Sequence, residues 1–200
     1  MTVSKRLLKV IILGAPGSGK GTISNRIIRD FGYGYSSVGD TLRDHINRKT
    51  DIGDEAQKYI KQGILVPDTT INKLVISELK KNFRGKSYLL DGYPRNLSQS
   101  FELWSHEDVR PNSVLNLVVP DEEIIERIRH RWIHPGSSRI YHMIYNPPKK
   151  TGFDDETGDK LVQREDDKEE VVRARLQAFH KANSQIVSFF RYVIFVRINF

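Results

Sequence analysis

The sequence predicts an α/β fold: an open parallel sheet of about five strands, flanked by helices on both faces. Three observations lead there. Short runs of Val, Ile and Leu recur along the chain and read as strands buried on both sides. Stretches with apolar residues at helical spacing alternate with those runs. A glycine-rich turn joins the first run to the first helical stretch. The chain has 200 residues, enough for one domain with its own core and small insertions.

The first strand is "LLKVIILG" (7–14), an apolar run too short to span a bilayer. From Lys20 the period changes, and Ile23, Ile27, Ile28 and Phe31 fall on one helical face. "YGYSSV" reads as a short strand, and "GDTLRDHINR" and "GDEAQKYIKQG" as short helices. "DTTINKLVISELKKNF" reads as a longer helix capped by Asp68. "KSYLLDG" (86–92), "SVLNLVVP" (113–120) and "YVIFVRI" (192–198) are further buried strands, and a helix follows the second from Asp121. One stretch breaks the rhythm. Residues 134–170 are rich in Gly, Pro and charge, yet carry Tyr141, Tyr145, Phe153, the turn "NPP" and the alternating "RIYHMIY". A small β insertion that serves as a lid accounts for them better than disorder. An amphipathic helix with Val172, Leu176, Phe179, Ile186 and Phe190 follows.

Composition narrows the chemistry. With no cysteine, disulfides, thiolate metal sites and cysteine nucleophiles are excluded. The formal charge is +7, from 32 Lys and Arg against 25 Asp and Glu, which favours an anionic partner. No acidic residue precedes Asp30, whereas Lys5, Arg6, Lys9, Lys20, Arg26 and Arg29 do, a weakly transit-like start rather than a secretory signal. No aromatic-basic motif of a nucleic-acid module is present, so no nucleic-acid partner is expected.

The glycine turn has a purpose that its position reveals. In an α/β sheet, ligands bind beyond the carboxyl ends of the strands. A helix N-terminus there offers unpaired N–H groups to an anion, and glycine lets the anion come close. Gly14, four residues, Gly19 and Lys20 match the phosphate loop G-x-x-x-x-G-K, with Lys20 reaching the β/γ-phosphates. The usual Ser or Thr does not follow the lysine directly; Gly21 intervenes before Thr22. The fold class is therefore a phosphate-loop NTPase-type sheet, with the reaction left open.

Transfer of a phosphoryl group between two nucleotides brings polyanions together, and arginine forks suit their oxygens. Arg43 follows "GDTL", Arg95 closes "DGYPR", Arg127 and Arg131 precede the insertion, Arg164 stands in "QREDD" and Arg175 in the last helix. Singly each is an ordinary surface residue; their common position at element junctions marks them as a set. Asp91, at the end of "YLLD", suits the water shell of a magnesium ion or a cap for the next turn.

"GAPGSGKGT", "GDTLR", "DGYPR", "RWIHP", "YNPP" and "REDD", in that order, resemble the adenylate kinase family of the long-lid type, in its mitochondrial GTP:AMP phosphotransferase branch. The likeness runs from about Leu7 to Phe190, and Gly-Thr after the loop lysine is that family's variant. It implies magnesium-dependent, reversible phosphoryl transfer from a nucleoside triphosphate to AMP by a monomer. By this resemblance Gly17, Ser18, Gly19, Lys20, Gly21 and Thr22 cradle the donor phosphates, with Arg127, Arg131 and Tyr141 also at the donor. Arg43 and Arg95 grip the acceptor phosphate, Gln99 reads its adenine, and Gly92, Val38 and Val66 line its site. Arg164 and Arg175 touch the acceptor as well; with Lys20, Arg95 and Arg131 they form the catalytic set. The implied division is a core of 1–36, 67–129 and 168–200, an acceptor flap of 37–66 and a lid of 130–167. His134, Ser137, Asp154 and Thr157 match the polar network that replaces zinc in cysteine-free lids, so no directly bound metal is expected. The mitochondrial matrix is the implied location, with the cytoplasm as the alternative.

Several positions depart from the family pattern. Val38 replaces a hydroxyl residue, Ile64 an often basic one, Asn96 and Ser98 stand where Thr and Pro are usual, and Gly136 and Ser138 look exchanged. Relatives also continue past the last strand into a donor-base loop and a closing helix, neither of which is expected here. The competing expectation is thus a nucleotide-binding protein with little turnover. A short-lid UMP/CMP-type kinase fits less well, because the insertion is long.

Overall fold

A computed structural model describes residues 7–61, 66–164, 167–191 and 194–199. Lys5, Arg6, Ile64, Glu165, Asp166 and the first two residues of the last expected strand lie outside the described residues. The elements in chain order are β1 (Lys9–Gly14), α1 (Lys20–Phe31), β2 (Gly34–Ser37), α2 (Val38–Asn47), α3 (Asp51–Lys61), α4 (Asp68–Asn82), β3 (Tyr88–Asp91), α5 (Leu97–Ser105), β4 (Ser113–Val118), α6 (Asp121–Arg129), β5 (Arg131–Ile133), β6 (Ile140–His142), α7 (Glu169–Phe189) and β7 (Ile194–Asn199).

Five strands form one sheet in the order β2-β3-β1-β4-β7. Pairing is parallel between β1 and β3, β1 and β4, and β2 and β3; Ile12 lies opposite Asp91 on one side and Leu115 on the other. Successive strand residues face opposite sides. Ile11 and Leu13 pack with Leu90, Val114, Leu74, Val75, Leu79, Leu103, Ile186 and Phe190, so α4, α5 and the end of α7 cover one face. Ile12, Leu89 and Leu117 turn the other way and meet Ile23 and Ile27 of α1. The α/β sheet flanked by helices is thus the fold the apolar runs predict.

The contacts divide the chain into two compact units. One comprises Met1–Gly14, Gly19–Leu117 and Lys181–Asn199; the other comprises Ala15–Ser18 and Val118–His180. The second has its own apolar cluster of Ala15, Val119, Ile124, Ile125, Ile128, Val172 and Leu176. Its insertion is an antiparallel pair, β5 with β6, extended by bridges Ile133–Val162, His142–Asn146 and Phe153–Lys160.

One local expectation changes, and one helix is additional. Sequence reading passed over α5, whose Asn96 cap accepts from the Gln99 N–H at 2.9 Å and whose Leu103 anchors it in the core. Asp68 does not cap α4. Pro67 holds the cap position with no side-chain bond, and Asp68 is the first helical residue. Its carboxylate is taken instead by Asn96 and Gln99, 28 and 31 residues away in sequence.

Candidate active site

The phosphate loop leaves the carboxyl end of β1 and opens α1. Gly17 and Gly19 hold positive φ, 81° and 89°, where a side chain would be strained. A Cβ on Gly17 would also stand 2.6 Å from Ile128 Cδ1 and 2.7 Å from its Cγ1, so only glycine lets the loop lie against α6. Gly19 is the left-handed cap of α1, and no acidic residue occupies the first turn of that helix. The partial positive charge at this end is therefore left for an anion. Lys20 Nζ donates to the Gly14 carbonyl at 2.8 Å, which folds the lysine back over the loop. Ser18 is 1% exposed, and its Oγ finds no partner among the described residues. Gly21 and Thr22 follow in the first turn of α1.

Asp91 ends β3 beside this loop. Burial pushes its carboxyl up, and the positive charges of Lys20 and Arg95, with a hydrogen bond from the Tyr35 hydroxyl at 3.2 Å, pull it back. Asp40 adds a further upward push. The charges of Lys20 and Arg95, on separate elements, thus both act on Asp91. A hard, hydrated magnesium ion fits such a place: one carboxylate oxygen set, with the remaining ligands supplied by water and substrate. Among the described residues no group of three or more carboxylates and histidines could hold an ion alone.

Arg95 Nε donates to the Gly92 carbonyl at 2.8 Å, and Gly92 has φ 81°. Gln99 is 4% exposed; its Oε1 accepts from the Arg95 N–H at 2.7 Å and its Nε2 donates to Asp68 at 2.7 Å. Arg43 is exposed on α2 and pairs with Asp40 one turn earlier. Val38 and Val66 are 3% and 8% exposed and belong to the apolar core. Their side chains are packed into that core.

The second unit holds the remaining residues. Arg127 lies on α6, 4.0 Å from Glu123. Arg131 on β5 grips Asp167 with both arms of its fork, Nε at 3.0 Å and a terminal nitrogen on the other oxygen. That carboxylate is 2% exposed, so the pair holds the guanidinium in one orientation. Arg164 and Arg175 are half-buried, the latter on α7. Tyr141 is buried in the insertion, 4% exposed, donating its hydroxyl to Asp154 at 2.9 Å and accepting from the Asp155 N–H at 2.8 Å.

A polar network in the insertion brings His134, Ser137, Asp154 and Thr157 together. His134 Nδ1 lies 2.8 Å from Ser137 Oγ, and its Nε2 lies 3.0 Å from Asp159 and 3.3 Å from Thr157 Oγ1. Asp154 accepts from Thr157 N–H at 2.9 Å and its hydroxyl at 3.1 Å. Arg139, which sequence reading passed over, closes the network with two bonds to Asp154 at 2.8 and 2.9 Å. That guanidinium, helped by the Thr157 and Tyr141 donors and opposed by burial, holds the Asp154 carboxyl well below the usual carboxylate range. Asp159, Asp167 and Asp68 were missed as well. Each lies in a charged stretch where no local pattern separates a buried carboxylate from a solvated one.

A parallel sheet in this order, with a phosphate loop after its central strand, defines a phosphate-loop NTPase-type fold. Comparison narrows the class. A family model described as Adenylate kinase matches residues 12–194, and the chain belongs to the adenylate kinase family. It is 40% identical over 185 residues to a GTP:AMP phosphotransferase, mitochondrial, of Drosophila melanogaster, covering 92% of this chain and 84% of that protein.

Proposed function

We propose that this chain catalyses reversible transfer of the terminal phosphoryl group of a nucleoside triphosphate to AMP. GTP is the favoured donor, with ATP and ITP as alternatives, and magnesium is the cofactor. The observation that carries this reading is Lys20, folded over the phosphate loop, with its charge and that of Arg95 acting on Asp91. The relative named GTP:AMP phosphotransferase supports the donor and, with the basic start, a mitochondrial location, which we take to be the matrix. No described helix is long and apolar enough to cross a membrane. The chain acts as a monomer.

An oxygen of the AMP phosphate attacks the terminal phosphorus in line. The bond from that phosphorus to the β–γ bridging oxygen breaks, and its electron pair leaves with the nucleoside diphosphate; ADP is the other product. The chain supplies position and charge. Loop amides, Gly17 to Gly21, with Lys20 and Thr22 hold the donor phosphates, and Arg127 and Tyr141 serve the donor end. Arg43 and Arg95 hold the acceptor phosphate in the flap of 37–66, beside Val38, Val66, Gly92 and Gln99. Arg131, Arg164 and Arg175 offset charge as the group moves. Magnesium, when bound, neutralises charge on the donor phosphates, and Asp91 would hold its water shell. The lid of 130–167 excludes water that would otherwise take the phosphoryl group; the core is 1–36, 67–129 and 168–200.

The test is diphosphate formation from AMP and Mg²⁺ with ATP, GTP or ITP in turn. GTP is expected to give the highest kcat/KM, and Lys20→Met to lower it by about a hundredfold or more. Absence of diphosphate with every donor, or undiminished turnover in Lys20→Met, overturns the reading.

A further inference from the structure

Asp68 joins three residues that sequence reading treated separately. Its carboxylate accepts from Gln99 Nε2 at 2.7 Å and from Asn96 Nδ2 at 3.0 Å on each oxygen. Asn96 in turn caps α5 by accepting from the Gln99 N–H at 2.9 Å. On its other side Gln99 Oε1 accepts from the Arg95 N–H at 2.7 Å. The Tyr93 hydroxyl completes the cluster, bonding Asn72 at 2.8 Å and the Gln99 carbonyl at 3.2 Å.

A glutamine amide can ordinarily turn over and exchange its oxygen and nitrogen. Here both neighbours forbid it. A carboxylate only accepts, so the nitrogen must face Asp68; a backbone N–H only donates, so the oxygen must face Arg95. Each end of the amide keeps one further bonding position, a donor on the nitrogen and an acceptor on the oxygen. Adenine offers an acceptor at N1 and a donor at N6 side by side, which is the complement of that pair. Hypoxanthine offers the reverse, a donor at N1 and an acceptor at O6.

We propose that Asp68 is a positioning residue for acceptor specificity: by locking the Gln99 amide it makes the chain read adenine and reject hypoxanthine. This rests on the acceptor site proposed above and deepens it. Asp68 never touches the nucleotide. It works through Gln99, and through the Gln99–Arg95 bond it also steadies the acceptor-phosphate loop.

Asp68→Asn keeps the shape and removes the acceptor-only character. Gln99 Nε2 bonds one Asp68 oxygen, which Asn96 also reaches, so a nitrogen at that position sets donor against donor and leaves the Gln99 amide held by the Arg95 N–H alone of its two restraints. The experiment measures kcat and KM with AMP and with IMP, for the native chain and for Asp68→Asn, Asp68→Glu and Asp68→Ala, beside thermal unfolding of each. In Asp68→Asn the ratio of kcat/KM for AMP to that for IMP is expected to fall about tenfold or more, because a buried amide mismatched to the base loses its discrimination. The change should sit in KM for AMP, with kcat nearly kept. Asp68→Glu, still acceptor-only, should retain the native preference, whereas a merely structural role would lower the activity with both acceptors alike. Asp68→Ala, which leaves Gln99 Nε2 to water, gives the same reading if the Asn variant does not fold. A native chain that neither turns over nor binds AMP overturns the acceptor site and this inference together. An AMP-selective native chain, with Asn and Ala variants equally selective, overturns this inference alone.

Discussion

Replacing Gly17 by alanine should be among the costliest single-methyl changes in the molecule, for two separable reasons. The first is conformational. Gly17 has φ 81°, and an L side chain held there costs about 1–2 kcal/mol. The second is steric. The new methyl would stand 2.6 and 2.7 Å from two carbons of Ile128 and 3.0 Å from Ile124 Cγ2, inside the cluster that α6 builds with Ala15. Ile128 is 1% exposed and Ile124 0%, so neither can swing into solvent, and overpacking of this kind costs about 1–3 kcal/mol. Together the loss is about 2–5 kcal/mol, a large share of the roughly 5–15 kcal/mol by which a domain is stable. Gly19 provides the control. Its φ is 89°, but a Cβ there meets nothing within 4 Å, so Gly19→Ala should carry the conformational cost alone. Urea denaturation of both variants, followed by circular dichroism, gives the steric part by difference. Pairing Gly17→Ala with Ile128→Val removes the nearest carbon and should return about 1 kcal/mol as a coupling energy. Equal costs for Gly17→Ala and Gly19→Ala, with no coupling to Ile128→Val, would refute the packing argument.

Two further outcomes concern protons. Burial raises the folded-state pKa of Asp91 above its unfolded value, so the native state holds that proton more tightly, and stability falls as pH rises from the ordinary carboxylate range through the raised value. Asp91→Asn is therefore expected to unfold at a higher temperature than the native chain at pH 7, to lose that advantage at acid pH, and to bind magnesium–nucleotide poorly; a lower melting temperature at pH 7 would contradict it. Asp154 is the opposite case. Its depressed carboxyl contributes stability that is complete above the unfolded value of about 3.9 and is lost as pH falls toward the folded one. The lid should loosen at acid pH before the sheet does, seen as early amide exchange in 131–162 and an early change in Trp132 fluorescence; simultaneous loss of lid and sheet would count against a separate lid network.

The sequence alone determined the alternation of strands and helices, the phosphate loop and the small β insertion. Each is written in a pattern that neighbours in the chain share. β1 is a continuous apolar run, α1 begins where the period changes at Lys20, and the glycines at 17 and 19 sit at fixed offsets from the lysine. Four lid residues were legible because their types recur at family spacing. Tertiary structure decided what local rules could not. By the capping rule Asp68 belongs to its own helix, but two donors from α5 claim its carboxylate. Helix α5, only nine residues long, is fixed by its cap and by Leu103 in the core. Val38, Val66 and Tyr141 are buried, a fact that no local pattern around them foretells. Arg139 looked like any charged surface residue until the fold set Asp154 against it. The reason is range. Periodicity and turn chemistry act over a few residues and survive in the string of letters, whereas a hydrogen bond between groups 15 to 31 residues apart exists only once the chain has closed.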